Sequence, residues 1–241
     1  MEPATTLPSD DEPWWQTVDE FQRRLADLVR RLDWSGAERL AAEYSKNAQS
    51  AYEAAVYAQS RANSLAALGR KTESLEANRL AEQLVPVEPH FKIVLARRLI
   101  GEFEQPEAGL AKLAEAESLI EPDLRRGVLA ERGLALLALN RDAEAVECFR
   151  EIARPERLAR MREWDYIGLV DFRLVTHLVA QGLVPDLCVA YLEAAELIAV
   201  RHNPDHVDRI RNLIRLARNP GTRPGPGERL PDQLPPLYDL P

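Results

Sequence analysis

From Val18 onward the chain falls into a helical rhythm. Val18, Phe21, Leu25, Leu28 and Leu32 recur at steps of three and four, which lays an apolar stripe along one helix face. Asp33, Ser35 and Gly36 interrupt the stripe, and a second helix is expected to run to about Ala48. The same spacing predicts inner faces at Ala77, Leu80, Ala81 and Leu84, and at Leu113, Ala116 and Ile120. A final helix is expected to bury Val207, Ile210, Ile214 and Ala217. Asn203 would cap it, Pro204 would take its first position, and Asp205 would sit at its positive end. No stretch alternates with period two between hairpin turns, so the expected fold class is all-α.

These helices are organised by repetition. An apolar run, a short turn, a second helix and a break recur in Leu65 to Pro86, Leu99 to Pro122 and Leu134 to Pro155. With Gly36, Gly69, Phe103, Asn140 and Gly182 as turn markers, the spacings are 33, 34, 37 and 42 residues. A repeated helical hairpin cannot bury its apolar face alone and must stack on neighbours. The fullest copy runs from Arg126 to Pro155, with Leu129, Gly133, Leu136 and Asn140 on the first helix and turn, and Glu144, Ala145 and Phe149 on the second. Around Gly69 the corresponding residues are Ala62, Leu65, Ala81 and Pro86, with Asn78 at an aromatic position. Around Phe103 they are Ala96, Leu99 and Ala108. On these residues the chain resembles the tetratricopeptide repeat family, most clearly over its central hundred or so residues and least at the copies around Gly36 and Gly182. The resemblance implies a right-handed α-solenoid of about five hairpins with a C-terminal capping helix.

The expected domain organisation is an acidic, unstructured leader at 1–13, a helical repeat domain at 14–218, and a tail at 219–241. The tail holds seven prolines and three glycines in 23 residues, a composition that favours an extended course. Residues 156–166 are an irregular insertion that accounts for the longest spacing. Beyond it, 164–181 and 185–201 read as a long apolar helix pair.

Charge changes this picture little. The net charge is -8, but Glu2, Asp10, Asp11 and Glu12 supply four negative charges and the tail one more, leaving the helical body near -3. The body therefore lacks the broad positive field of a nucleic-acid binder. Of the 31 basic residues, 27 are arginine, a side chain suited to forked contacts with carboxylates. Cys148 and Cys188 stand apart in apolar contexts, as buried thiols in a reducing compartment would. No apolar run approaches the roughly 20 residues that span a bilayer, so no membrane insertion is expected and the expected location is cytoplasmic.

Candidate chemistry is sparse. Gly69-Arg70-Lys71-Thr72 lacks the upstream glycine and strand of a phosphate loop and reads as a turn. His202 and His206 have a metal-like spacing, but Pro204 lies between them and no third ligand is near. His90 and His177 read as structural, and no nucleophile stands beside a base, so no enzyme activity and no cofactor or metal is expected. Arg150, Arg154, Arg157, Arg160 and Arg162 form one cluster, and Arg209, Arg211, Arg215 and Arg218 another. Glu151, Glu156, Glu163 and Asp208 are interspersed, which predicts mixed-charge faces.

The resemblance directs attention to a concave groove lined by the first helix of each hairpin. Groove positions carried over from the turn markers are Arg23, Arg30, Gln59, Asn63, Arg97 and Arg173. Asn63 and Arg97 resemble part of a clamp for a peptide carboxylate, while Ala26, Gln59 and Ile93 stand where it would want a basic residue. The expected function is a non-catalytic scaffold or adaptor that binds a protein or peptide segment, with acidic groups on the partner. The alternative is a nucleic-acid-associated or transcription-regulating helical domain that uses the arginine clusters. The tail places Leu234, Leu237, Tyr238 and Leu240 together, either as a ligand for another protein or as an occupant of the chain's own groove.

Overall fold

The computed structural model describes residues 14–121, 125–159, 169–202 and 204–219, and every regular element among them is helical. The leader and the proline-rich tail lie outside the described residues. In chain order the α-helices are α1 (Trp14–Arg30), α2 (Trp34–Lys46), α3 (Ala51–Ala67), α4 (Lys71–Leu84), α5 (Pro89–Gly101), α6 (Pro106–Glu117), α7 (Arg126–Ala138), α8 (Asp142–Ile152), α9 (Pro155–Ala159), α10 (Leu169–Ala180), α11 (Pro185–His202) and α12 (Val207–Arg218). A 3-10 turn, Pro204–His206, leads into α12. No helix among the described residues is long and apolar enough to cross a membrane. The chain divides into two compact units, the first ending at Glu121 and the second beginning at Pro122.

One turn closes the first helix of each hairpin. At Asp33, Arg70, Arg141 and Leu183 a backbone N–H donates to the carbonyl five residues earlier, at Leu28, Leu65, Leu136 and Leu178, over 2.9 Å in each case. This is the Schellman closure, and it requires a left-handed residue just before the donor. Leu32, Gly69, Asn140 and Gly182 adopt it, with φ between 56° and 76°. Glu104 (φ 52°) does the same in a closure one residue longer, from Gln105 N–H to Leu99 O. Two of the expected turn markers are thereby corrected. Gly36 lies inside α2, and Leu32 makes the turn instead; Phe103 gives way to Glu104. The left-handed residues are 37, 35, 36 and 42 positions apart. Only at Gly69 and Gly182 does the sequence supply the residue that enters this conformation without a Cβ penalty.

In the first unit each helix packs on the next, and α1 also touches α3. Phe21, Tyr44 and Tyr57 form an aromatic triad with centroids 4.8–5.5 Å apart, backed by Leu40 and Ala41. Ala55, Ala58, Ala81, Val85 and Phe91 fill the next layer, and Leu75, Leu95 and Leu99 the one after. Small residues let the backbones approach: a Cβ on Gly109 of α6 would lie 2.4 Å from the Ile100 side chain of α5. Of the predicted inner-face residues, Leu32 and Leu80 are exposed, and Val18, Leu25, Leu28, Leu84 and Ile120 are half-buried. Leu32 is the left-handed turn residue and is exposed; Leu80 points outward while its neighbour Asn78 is buried; Ile120 follows the end of α6 and is half-buried. The periodicity was right in each helix, but a period fixes a face only to within one residue.

In the second unit α10 is the central element and packs against α7, α8, α11 and α12. Along α7, Val128, Ala130, Gly133 and Leu134 to Leu137 are buried, and Leu174 of α10 sits over Gly133, where a Cβ would meet it at 2.7 Å. Phe149 meets Tyr191 edge-on at 5.5 Å, and the Arg209 guanidinium lies 5.0 Å from the centre of the Phe172 ring. Val207, Ile210, Ile214 and Ala217 are buried as expected, with Leu213 and Leu216 added. The last α-helix begins at Val207 rather than at Pro204, because the first residues close as a tighter turn. Cys148 and Cys188 are free and buried; burial pushes the Cys188 thiol up to about 12, which makes it unreactive near neutral pH.

Candidate functional site: the polar seam between α3 and α5

The seam is prepared by the starts of its two helices. Ser50 caps α3 by accepting the Glu53 N–H, and the buried Glu53 carboxylate accepts the Gln49 N–H at 2.6 Å. Pro89 opens α5, and Glu88 caps it by accepting the His90 N–H at 3.0 Å. From these fixed starts two side-chain bridges cross the seam. Gln59 Nε2 lies 2.8 Å from His90 Nε2, and Arg98 Nη2 donates to Asn63 Oδ1 at 2.7 Å. Which of the two groups donates depends on the His90 tautomer. Both bridges advance in the same direction, by four residues on α3 and eight on α5, so the two helices point the same general way. Arg98 also pairs with Glu102 on its own helix, whose second carboxylate oxygen is buried without a hydrogen-bond partner.

A second charged cluster ties α4, α5 and α6. The Lys92 ammonium, nearly buried, donates to Glu82 at 2.6 Å and to Glu115 at 3.0 Å, and Lys112 donates to the same two carboxylates at 3.2 and 3.0 Å. Burial disfavours the Lys92 charge, but the hydrogen bonds to Glu82 and Glu115 outweigh it and its pKa lies above the ordinary value. For Glu115 burial likewise acts upward, and the bonds from Lys112 and Lys92 bring the net shift downward. Such a ring fixes three helices in register.

The carried-over groove positions separate in the structure. Gln59 and Asn63 meet the seam directly, and Arg97 is half-buried on the same helix as His90 and Arg98. Arg23 and Arg30 lie on α1, both exposed, with Arg30 paired to Asp27 at 2.6 Å. Arg173 is half-buried on α10 of the second unit. The partner that Asn63 meets is Arg98 rather than Arg97, and the turn explains the difference. Counting back from Phe103 reaches Arg97, whereas counting the same distance from the true left-handed residue, Glu104, reaches Arg98. His90 was readable only as an isolated histidine, since nothing in its local pattern points to a residue 31 positions away. Leu234, Leu237, Tyr238 and Leu240 lie outside the described residues.

Five arginines of the two clusters pair with carboxylates, while Arg209 lies over the Phe172 ring and Arg215 donates to Asn212. Arg150 pairs with Glu147, Arg154 and Arg157 with Glu151, Arg211 with Glu196, and Arg218 with Glu193. Arg160 and Arg162 lie outside the described residues. No group of three His, Cys, Asp or Glu side chains among the described residues could hold a metal ion. Comparison with protein-family models, with curated proteins and with solved structures gave no match.

Proposed function

We propose that the chain is a non-catalytic scaffold of the tetratricopeptide kind, in which about five helical hairpins stack in right-handed solenoid fashion and the first unit recognises an acidic segment of a partner protein. The observation that carries this reading is the α3–α5 seam, where Gln59 meets His90 and Asn63 meets Arg98, with the half-buried Arg97 one position before Arg98 on α5. Amide and guanidinium groups at that spacing suit an extended peptide, with arginine supplying paired donors to a carboxylate. The recurring Schellman turn supports the stacked hairpins, because one closure repeated at near-constant intervals starts each second helix at the same angle.

The test is a titration of the full chain with a fluorescent ten-residue peptide rich in Asp and Glu, and with its amide counterpart, followed by anisotropy. Binding of the acidic peptide alone is expected, weakened about tenfold or more in Arg97→Ala with helicity unchanged. Equal binding of both peptides, or no effect of Arg97→Ala, would overturn the reading. The nucleic-acid alternative draws no support from arginines that already face Glu147, Glu151, Glu193 and Glu196.

A further inference from the structure

Four of the exposed large apolar side chains stand singly: Leu32, Leu68, Leu80 and Leu119 each lie on a different turn or helix. Leu197 and Val200 differ. They are 70% and 56% exposed and sit three residues apart on α11, so they are neighbours on one helix face. One turn before Leu197, Glu193 accepts from Arg218, the last residue of α12, at 2.5 Å. That ion pair fixes where the chain leaves its final helix. At a rise of about 1.5 Å per residue, Leu197 lies only about 6 Å and Val200 about 10 Å along α11 from Glu193.

Residues 220–241 follow this exit point, and an extended stretch of that length reaches roughly 70 Å, many times the distance needed. In their sequence Leu234, Leu237 and Leu240 are three apart around Pro235 and Pro236. Prolines favour the polyproline II course, in which residues three apart share an edge. Asp239 accompanies these leucines, and the exposed Arg201 follows Val200 on α11. We propose that the segment Leu234 to Leu240 docks on the Leu197–Val200 face of α11 in the same molecule, its leucines covering the apolar pair and Asp239 facing Arg201. Tethering makes this an intramolecular event at an effective concentration on the order of millimolar, so a small apolar contact suffices.

A nitroxide placed on the full-length chain at Gln233→Cys tests the proposal, because Cys148 and Cys188 are buried and leave the new thiol as the reactive one. Paramagnetic broadening is expected to cut the methyl signals of Leu197 and Val200 about twofold or more, with Leu32 and Leu80 spared, unchanged on tenfold dilution. Replacing Leu234 and Leu237 by Asp in the labelled chain is expected to abolish the broadening. Since both α11 side chains are exposed, Leu197→Ser with Val200→Ser is expected to do the same without unfolding the helix. Broadening spread evenly over exposed methyls, centred on α3 and α5, or lost on dilution would overturn the proposal. The last outcome would assign the contact to a second copy, and the one before it to the groove.

Discussion

In the first unit, polar side chains bridge one helix to the next: Arg61 to Glu38, Gln59 to His90, Asn63 to Arg98, Ser74 to the Ala62 carbonyl, and Lys92 and Lys112 to Glu82 and Glu115. In the second, the helix interfaces are filled by Leu134 to Leu137, Phe149, Phe172, Leu174, Val175 and Leu178. Its ion pairs, such as Arg211 to Glu196 and Arg218 to Glu193, lie at the surface. Both units close their hairpins with the same turn, so the turn does not decide how helices recognise one another. In the first unit directional bonds add to the packing around Phe21, Tyr57 and Phe91, and in the second steric fit carries the register. The first kind of interface spends its polar groups on bonds between helices; the second consumes its side chains in packing.

The sharpest way to break this contrast is at α7 and α10. Leu174→Ala should destabilise the second unit by about 2–5 kcal/mol, through lost burial and the cavity left over Gly133. Gly133→Ala should cost the overpacking of Leu174, about 1–3 kcal/mol, against a helix-propensity gain of about 1. The double variant should then be less destabilised than the two single effects added. Denaturant unfolding with hydrogen exchange read separately in each unit checks this, and equal losses in both units would refute the assignment.

In the first unit the corresponding test is Lys92→Ala, which leaves Glu82 and Glu115 sharing only Lys112 and should cost about 1–3 kcal/mol. Its pH dependence has two sides. Glu115 titrates below its ordinary value when folded, so its contribution is present above that value and is lost as pH falls through the folded one. Lys92 titrates above its ordinary value, so its contribution is present below that value and is lost as pH rises through the folded one. Stability of the first unit should therefore decline at both extremes, and the alkaline decline should shrink in Lys92→Met. An unchanged alkaline limb would remove Lys92 from the account.

A smaller effect of opposite sign is expected at Asn78, buried on α4 with its amide nitrogen lacking a hydrogen-bond partner. Asn78→Leu should stabilise the first unit by about 1 kcal/mol, because it replaces a desolvated donor with apolar volume. The smallest effect belongs to a clip common to both units. Arg70 grips Glu73, and Arg141 grips Glu144, each through two parallel hydrogen bonds straight after the turn. Glu73→Gln and Glu144→Gln should produce slight, matched losses that vanish in high salt, since all four side chains are exposed. A mismatch between them, followed by thermal melts at two ionic strengths, would show that the units differ in their turns as well as in their interfaces.

Much of the fold was legible because it depends on local periodicity. The helices, the breaks between them and the buried faces of α1 and α12 follow from apolar spacing, and Gly69, Asn140 and Gly182 were read correctly as turns. The two displaced turn markers share one cause. Leu32 and Glu104 adopt a left-handed conformation that their residue types disfavour, so nothing in the sequence marks them, and each displaced the register of its hairpin. That displacement is why the repeat spacing points to Arg97 where the structure joins Arg98 to Asn63.

By itself, then, the sequence determined an all-helical chain with a repeated hairpin and buried thiols, because these depend on interactions between residues a few positions apart. Tertiary structure decided which residue makes each turn, which polar side chains meet across α3 and α5, and that Lys92 sits between two carboxylates from α4 and α6. Those pairings join residues 10 to 35 positions apart. At such separations a shift of one residue in a turn redirects a side chain by about 100°, and only packing of the whole unit fixes that angle.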